Sequence, residues 1–80
     1  MKHIDVFSKR ILDLCKERDI SINKLATRSG MRQSSLRNIV IKRTKSPGLV
    51  SMMRIAQGFE MTLAELVDFS ELNETIFDDE

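Results

Sequence analysis

The chain has no tryptophan and no tyrosine, one cysteine, one proline and three glycines. With so few turn formers and β-favouring aromatics, its Leu-, Ile- and Met-rich stretches predict an all-α protein. A single cysteine, Cys15, cannot close an internal disulfide, which fits a reducing compartment. His3 stands near one end with no second histidine and no cysteine cluster, so no metal site is expected. The longest apolar run is Ile39 to Ile41, three residues, far too short to span a membrane. No apolar signal-peptide region follows Met1-Lys2-His3, and a cytoplasmic protein is expected. There is also no phosphate-binding glycine loop, no paired-acid site and no nucleophile–base pair, so neither catalysis nor a cofactor is predicted.

What is present is charge, unevenly placed. The 80 residues, enough for one domain, carry a formal net charge of only +1. Residues 1–45 hold twelve Lys/Arg against four Asp/Glu, a net +8, whereas residues 46–80 hold one arginine and eight acids, a net −7. Between Asp19 and Glu60 no acidic residue occurs, while Lys24, Arg28, Arg32, Arg37, Lys42, Arg43, Lys45 and Arg54 all fall there. A polyanion such as nucleic acid suits that stretch, and a merely solvated basic face is the plainer reading.

Five helices can be read from periodicity and caps. The first runs from about Asp5, as N-cap, to Arg18, with Phe7, Ile11, Leu14 and Cys15 inward. Cys15 reads there as a buried small hydrophobe. Ser21 caps a second, short helix ending near Ser29, with Ile20 and Leu25 as a hydrophobic staple, and Gly30 ends it in a left-handed turn. A third helix runs from about Gln33 to Ile41, with Leu36 and Ile39 inward and Met31 and Leu36 as its staple. Its cap position holds Arg32, which lacks the oxygen that Ser, Thr, Asp or Asn would offer the free amides. Lys42 to Gly48 is a loop, and Gly48 opens a fourth helix whose inward stripe is Leu49, Met52, Ile55, Ala56 and Phe59; Met53 is expected near the core. Thr62 and Glu65 form a T-x-x-E capping box for a fifth helix, with Met61 and Leu66 as its staple, ending near Phe69. Residues 1–70 thus read as one domain, followed by an acidic tail, 71–80.

Helix two, a glycine turn and helix three suit two short helices crossing steeply, with Ala26 small where the backbones approach and Leu25, Met31, Leu36 and Ile39 filling the wedge between the helices and the rest of the core. The stretch "INKLATRSGMRQSSLRNIVI" resembles the helix-turn-helix of the phage lambda repressor and Cro family, the Xre-like regulators. "SPGLVSMMRIAQGFEMTLAELVDF" is similar to that family's proline-opened fourth helix and its fifth helix. The resemblance covers about residues 5–69. It implies a compact five-helix bundle acting as a dimeric, operator-binding transcriptional repressor in the cytoplasm, associated with the nucleoid. One departure is plain: members commonly carry Asn-Gly or Arg-Gly soon after the recognition helix, where this chain has "IVIKRTKSP".

With Leu36 and Ile39 inward, Arg32, Gln33, Ser34, Arg37, Asn38 and Ile41 lie on or beside the opposite face. Gln and Asn match adenine N6/N7 in the major groove, and Arg matches guanine O6/N7. The resemblance places base readers at the start and middle of the helix, here Gln33, Ser34 and Asn38, with Arg32 and Arg37 flanking them. Ordinary exposed filler is the competing reading of Gln33 and Asn38. Phosphates are expected at the amino end of helix two, Ser21, Ile22 and Asn23, with Lys24 and Arg28, and at the loop residues Lys42, Arg43, Thr44 and Lys45. The partner is therefore double-stranded DNA, bound by a homodimer whose contact surface is expected at Leu66, Phe69, Leu72, Ile76 and Phe77. The other class is an antitoxin or protein-interaction adaptor on the same fold, using the acidic tail or a surface of Phe59, Phe69 and Phe77.

Overall fold

Helices of eight residues are marginal in water on their own, so the central pair must be held by burying one face each. In the computed structural model, which describes residues 3–73, that is how they are held. The elements are α1 (His3–Glu17), α2 (Ile22–Ser29), α3 (Gln33–Val40), α4 (Leu49–Gly58), α5 (Leu63–Val67) and a further turn, α6 (Ser70–Asn73). The five expected helices appear in order, and the described residues contain no strand. α2 packs most extensively on α4 and crosses α3, while α1 lies against α3 and α6. Phe7, Ile11, Leu14, Cys15, Leu25, Ala26, Leu36, Ile39, Ile55, Ala56, Phe59 and Leu66 share one core. Burial pushes the Cys15 thiol pKa up, away from the reactive thiolate.

Several expectations need correction. α1 begins at His3, so Asp5 lies in its first turn, beside the positive end of the dipole, and is not its cap. Leu49 is 60% exposed: burial along the α4 stripe rises from Leu49 through half-buried Met52 to buried Ile55, so the first turn overhangs the core. Met53, on the same helix, is exposed rather than near-core. Leu66 and Phe59 are fully buried, at 0% and 1% exposure. Leu66 therefore cannot form a dimer surface, nor Phe59 a docking one. Ile76, Phe77 and the rest of the tail beyond Asn73 lie outside the described residues.

α5 stops at Val67, short of the expected Phe69, for a reason visible in α1. Arg10 donates from Nη2 to the Glu65 carbonyl and from Nε to the Leu66 carbonyl, both at 3.2 Å. Those are the acceptors that the Phe69 and Ser70 amides would need for the helix to continue. The Arg10 guanidinium also lies 5.1 Å from the Phe69 ring centre. Eight residues on, Arg18 does the same for α4, donating to the Phe59 carbonyl and lying 5.6 Å from that ring. Arg10 of α1 and Arg18, just beyond its end, thus satisfy the carboxyl ends of two other helices.

The chain leaves four helices through one device. Asp19, Gly30, Lys42 and Glu60 all have left-handed φ, of 53°, 65°, 68° and 58°. At each, that residue's amide and the next one's reach back into the last turn: Gly30 to Thr27 and Met31 to Ala26, Lys42 to Ile39 and Arg43 to Asn38, Glu60 to Gln57 and Met61 to Ala56. Only one of the four is the glycine that favours this conformation. A side chain there costs about 1–2 kcal/mol. Glu60→Gly is therefore expected to stabilise the protein by about 1 kcal/mol, raising the melting temperature by about 4–8 °C.

The α5 start is the expected capping box: Thr62 N donates to Glu65 Oε1 at 2.8 Å and Glu65 N to Thr62 Oγ1 at 3.0 Å. The Thr62 backbone amide bond, then the Thr62 side-chain bond, lowers the Glu65 pKa, with the Arg18 charge adding a smaller pull. A carboxyl lowered on folding stabilises the fold above its unfolded pKa, and that help disappears as pH falls through the folded value. Acid titration of stability should accordingly be shallower in Glu65→Gln than in the parent below the usual carboxylate range.

Candidate nucleic-acid interface

α3 owes its orientation to three anchors. Leu36 and Ile39 turn one face into the core, and Met31 packs at its entry. At its far end, Ser8 Oγ on α1 donates to the Val40 carbonyl at 2.5 Å. Beside it, Lys42 Nζ pairs with Asp5 at 3.1 Å. Arg32 occupies the N-cap with φ −68° and ψ 142° and makes no side-chain cap bond, so its guanidinium is not used in starting the helix. Arg32, Gln33, Ser34, Arg37 and Ile41 are exposed, and Asn38 is half-buried.

α2 is placed against this face by its own cap. Ser21 Oγ accepts from Lys24 N at 3.0 Å, and Gly30 closes the other end. The first-turn amides of Ile22 and Asn23 lie ahead of the helical ladder and at the positive end of the dipole. Ile22 and Asn23 line a groove of about 610 Å³ together with Gln33, Ser34, Arg37, Val40 and Ile41. The groove thus brings candidate phosphate residues at the α2 start alongside candidate base readers on α3.

Other expected residues lie elsewhere. Arg28 stands at the opposite end of α2, about 9 Å along the axis from Ile22, beside Ser29, Gly30, Val50, Met53, Arg54 and Gln57. Lys24 is exposed on α2 outside the groove. Arg43 and Lys45 are exposed in the loop after α3, whereas Thr44 is half-buried. Both the Arg43 and Thr44 amides bond the Asn38 carbonyl, at 2.8 and 3.0 Å. The Lys42 ammonium is turned to Asp5. Where a glycine would usually make this turn, Lys42 makes it, and the ion pair ties it to α1.

Not every cation is available to a polyanion. Lys9 pairs with Asp13, Arg10 and Arg18 hold helix ends, and Arg54 Nη1 donates to the Gly30 carbonyl at 2.7 Å. Lys24, Arg28, Arg32, Arg37, Arg43 and Lys45 remain exposed within the acid-free stretch, and Lys16 is exposed outside it, on α1. Ile41, unassigned among the candidate site residues, belongs to the groove; its spacing of seven from Ser34 puts it on the same stripe.

The described residues hold no group of His, Cys, Asp or Glu able to bind a metal, and no helix long and apolar enough to cross a membrane. A family model described as the Cro/C1-type HTH DNA-binding domain matches residues 10–71. No curated protein matches the chain. Among solved structures, prophage Lp1 protein 11 is similar with a TM-score of 0.80 and 24% identity, over 94% of this chain and 100% of that one. At that identity the likeness concerns the fold.

Proposed function

Because the chain belongs to the Cro/C1-type helix-turn-helix DNA-binding family, we propose that it is a transcriptional repressor that recognises a specific double-stranded site with α3 in the major groove. The observation that carries this reading is the shared groove, which Ile22 and Asn23 at the start of α2 line together with Gln33, Ser34 and Arg37 of α3. An α-helix fits the major groove, whose base edges present distinct donor and acceptor patterns. Gln33, Ser34 and Asn38 are assigned to base edges, with Arg32 and Arg37 at the rim. Ser21, Ile22, Asn23 and Lys24 take phosphates on one side, and Arg43, Thr44 and Lys45 on the other. Arg28 would need a backbone that bends toward the far end of α2, and Lys42 would first have to leave Asp5. The protein acts by binding, without a cofactor or a reaction.

One short helix reads few base pairs, so a homodimer on a pseudo-palindrome is proposed, with half-sites about 34 Å apart. Leu49, Val50 and Met53 are exposed on one face of α4, where a second copy would bury apolar surface that Leu66 cannot offer. Sedimentation with and without duplex tests this. Selection from random duplex tests the function: enrichment of a defined site is expected, and a pool that stays random overturns the reading. Arg32→Thr separates the two demands on the α3 entry. Threonine can cap the free amides, so stability should hold or rise by about 0.5–1 kcal/mol, while affinity for the selected site falls. Unchanged affinity would make Arg32 ordinary surface.

A further inference from the structure

Ile41 is an anomaly on the α3 face: a large apolar side chain, 51% exposed, among Gln33, Ser34 and Arg37. It caps the end of α3, and the left-handed turn at Lys42 leads the chain away and leaves it uncovered. Half-buried Ile22 and Val40 stand in the same groove and give it an apolar floor. We infer that Ile41, with Ile22 and Val40, seats the C5-methyl group of a thymine in the bound duplex. This rests on the proposed major-groove docking of α3 and names what one end of that surface reads.

The chemistry selects the occupant. An isoleucine side chain neither donates nor accepts, so it cannot distinguish the polar edges of adenine, guanine or cytosine. Thymine alone among the four bases shows an apolar group in the major groove. The surroundings favour a phosphate-bearing strand over an apolar peptide: no acidic residue occurs between Asp19 and Glu60, and Arg37 and Asn23 line the groove. Ile41 adds no charge, so it should contribute to sequence choice and nothing to the salt dependence.

The test uses the full chain and a duplex obtained by selection from random DNA, with each thymine replaced in turn by deoxyuridine, which lacks only the methyl. Wild-type affinity is expected to fall about fourfold at one thymine per half-site, the ratio corresponding to about 0.8 kcal/mol for one CH₂-sized group. Ile41→Ala should lose that sensitivity and Ile41→Val should retain most of it, both with an unchanged salt slope. Because Ile41 is exposed, both variants should melt with the parent. A selected site at which no deoxyuridine matters, or at which Ile41→Ala responds as the parent does, overturns the methyl seat alone. If no site emerges from selection, the DNA-recognition reading itself fails, and the seat with it.

Discussion

Gly58→Ala is expected to destabilise the protein by about 1–3 kcal/mol, and adding Ser29→Ala to restore part of the loss. The largest helix contact in the fold is between α2 and α4, and it closes at this glycine. A methyl group on Gly58 would stand 2.2 Å from Ser29 Oγ, 3.0 Å from Leu25 Cδ1 and 3.3 Å from the Leu25 carbonyl oxygen. The serine can rotate, but the carbonyl is backbone, so the two helices must part slightly. Ser29 is itself 95% buried by its 5% exposure, and its hydroxyl has no hydrogen-bond partner. Burying an unpaired hydroxyl costs about 1–3 kcal/mol, so Ser29→Ala alone should stabilise the protein. The double variant should recover the serine clash and keep the Leu25 one. A cycle of the four proteins, unfolded in urea, separates those two parts through its interaction energy. Strict additivity would show that the hydroxyl and the glycine do not meet. The spacing matters beyond stability because α4 sets where the amino end of α2 stands relative to α3.

The second large effect is a contrast between two kinds of variant at the DNA surface. Gln33→Ala should cost about 1–3 kcal/mol on the selected site and much less on unrelated duplex, because a lost base contact removes discrimination. Arg43→Ala should weaken all duplexes alike and reduce the salt slope by about 0.9, one phosphate's worth. Gln33 lies in the groove on the exposed α3 face, whereas Arg43 lies in the loop beyond it. Asn38→Ala is predicted to resemble Gln33→Ala more weakly, since Asn38 is half-buried beside the loop. Competition binding against random-sequence DNA distinguishes the two patterns. If Gln33→Ala and Arg43→Ala behave alike, the division between base and phosphate contacts is wrong.

Most helix positions were legible because their signals are local. Ser21, Gly30 and the Thr62–Glu65 box state helix ends in the residues themselves, and the Leu36–Ile39 pair states which way α3 turns. The misses share a different cause, since each depends on a residue far along the chain. The early stop of α5 is imposed by Arg10, more than fifty positions away. Leu49 has the right period but is 60% exposed among the described residues. Lys42, Asp19 and Glu60 take turns that glycine signals elsewhere, so their composition gave no warning. The charge asymmetry pointed toward a polyanion, yet it could not separate exposed Arg43 from Arg18, which holds a helix end. At the interface, the spacing placed Ile41 on the outward face of α3, but counting polar readers gave it no role; the groove it shares with Ile22 needs α2 to flank α3.

The most direct test of DNA recognition by this surface is the affinity of the full chain for its selected duplex and for random duplex, measured across a range of salt. The account predicts that affinity falls linearly in log–log form, by about 0.9 per phosphate neutralised, with the selected site tighter throughout. A flat salt dependence with no preference between the two duplexes would contradict it.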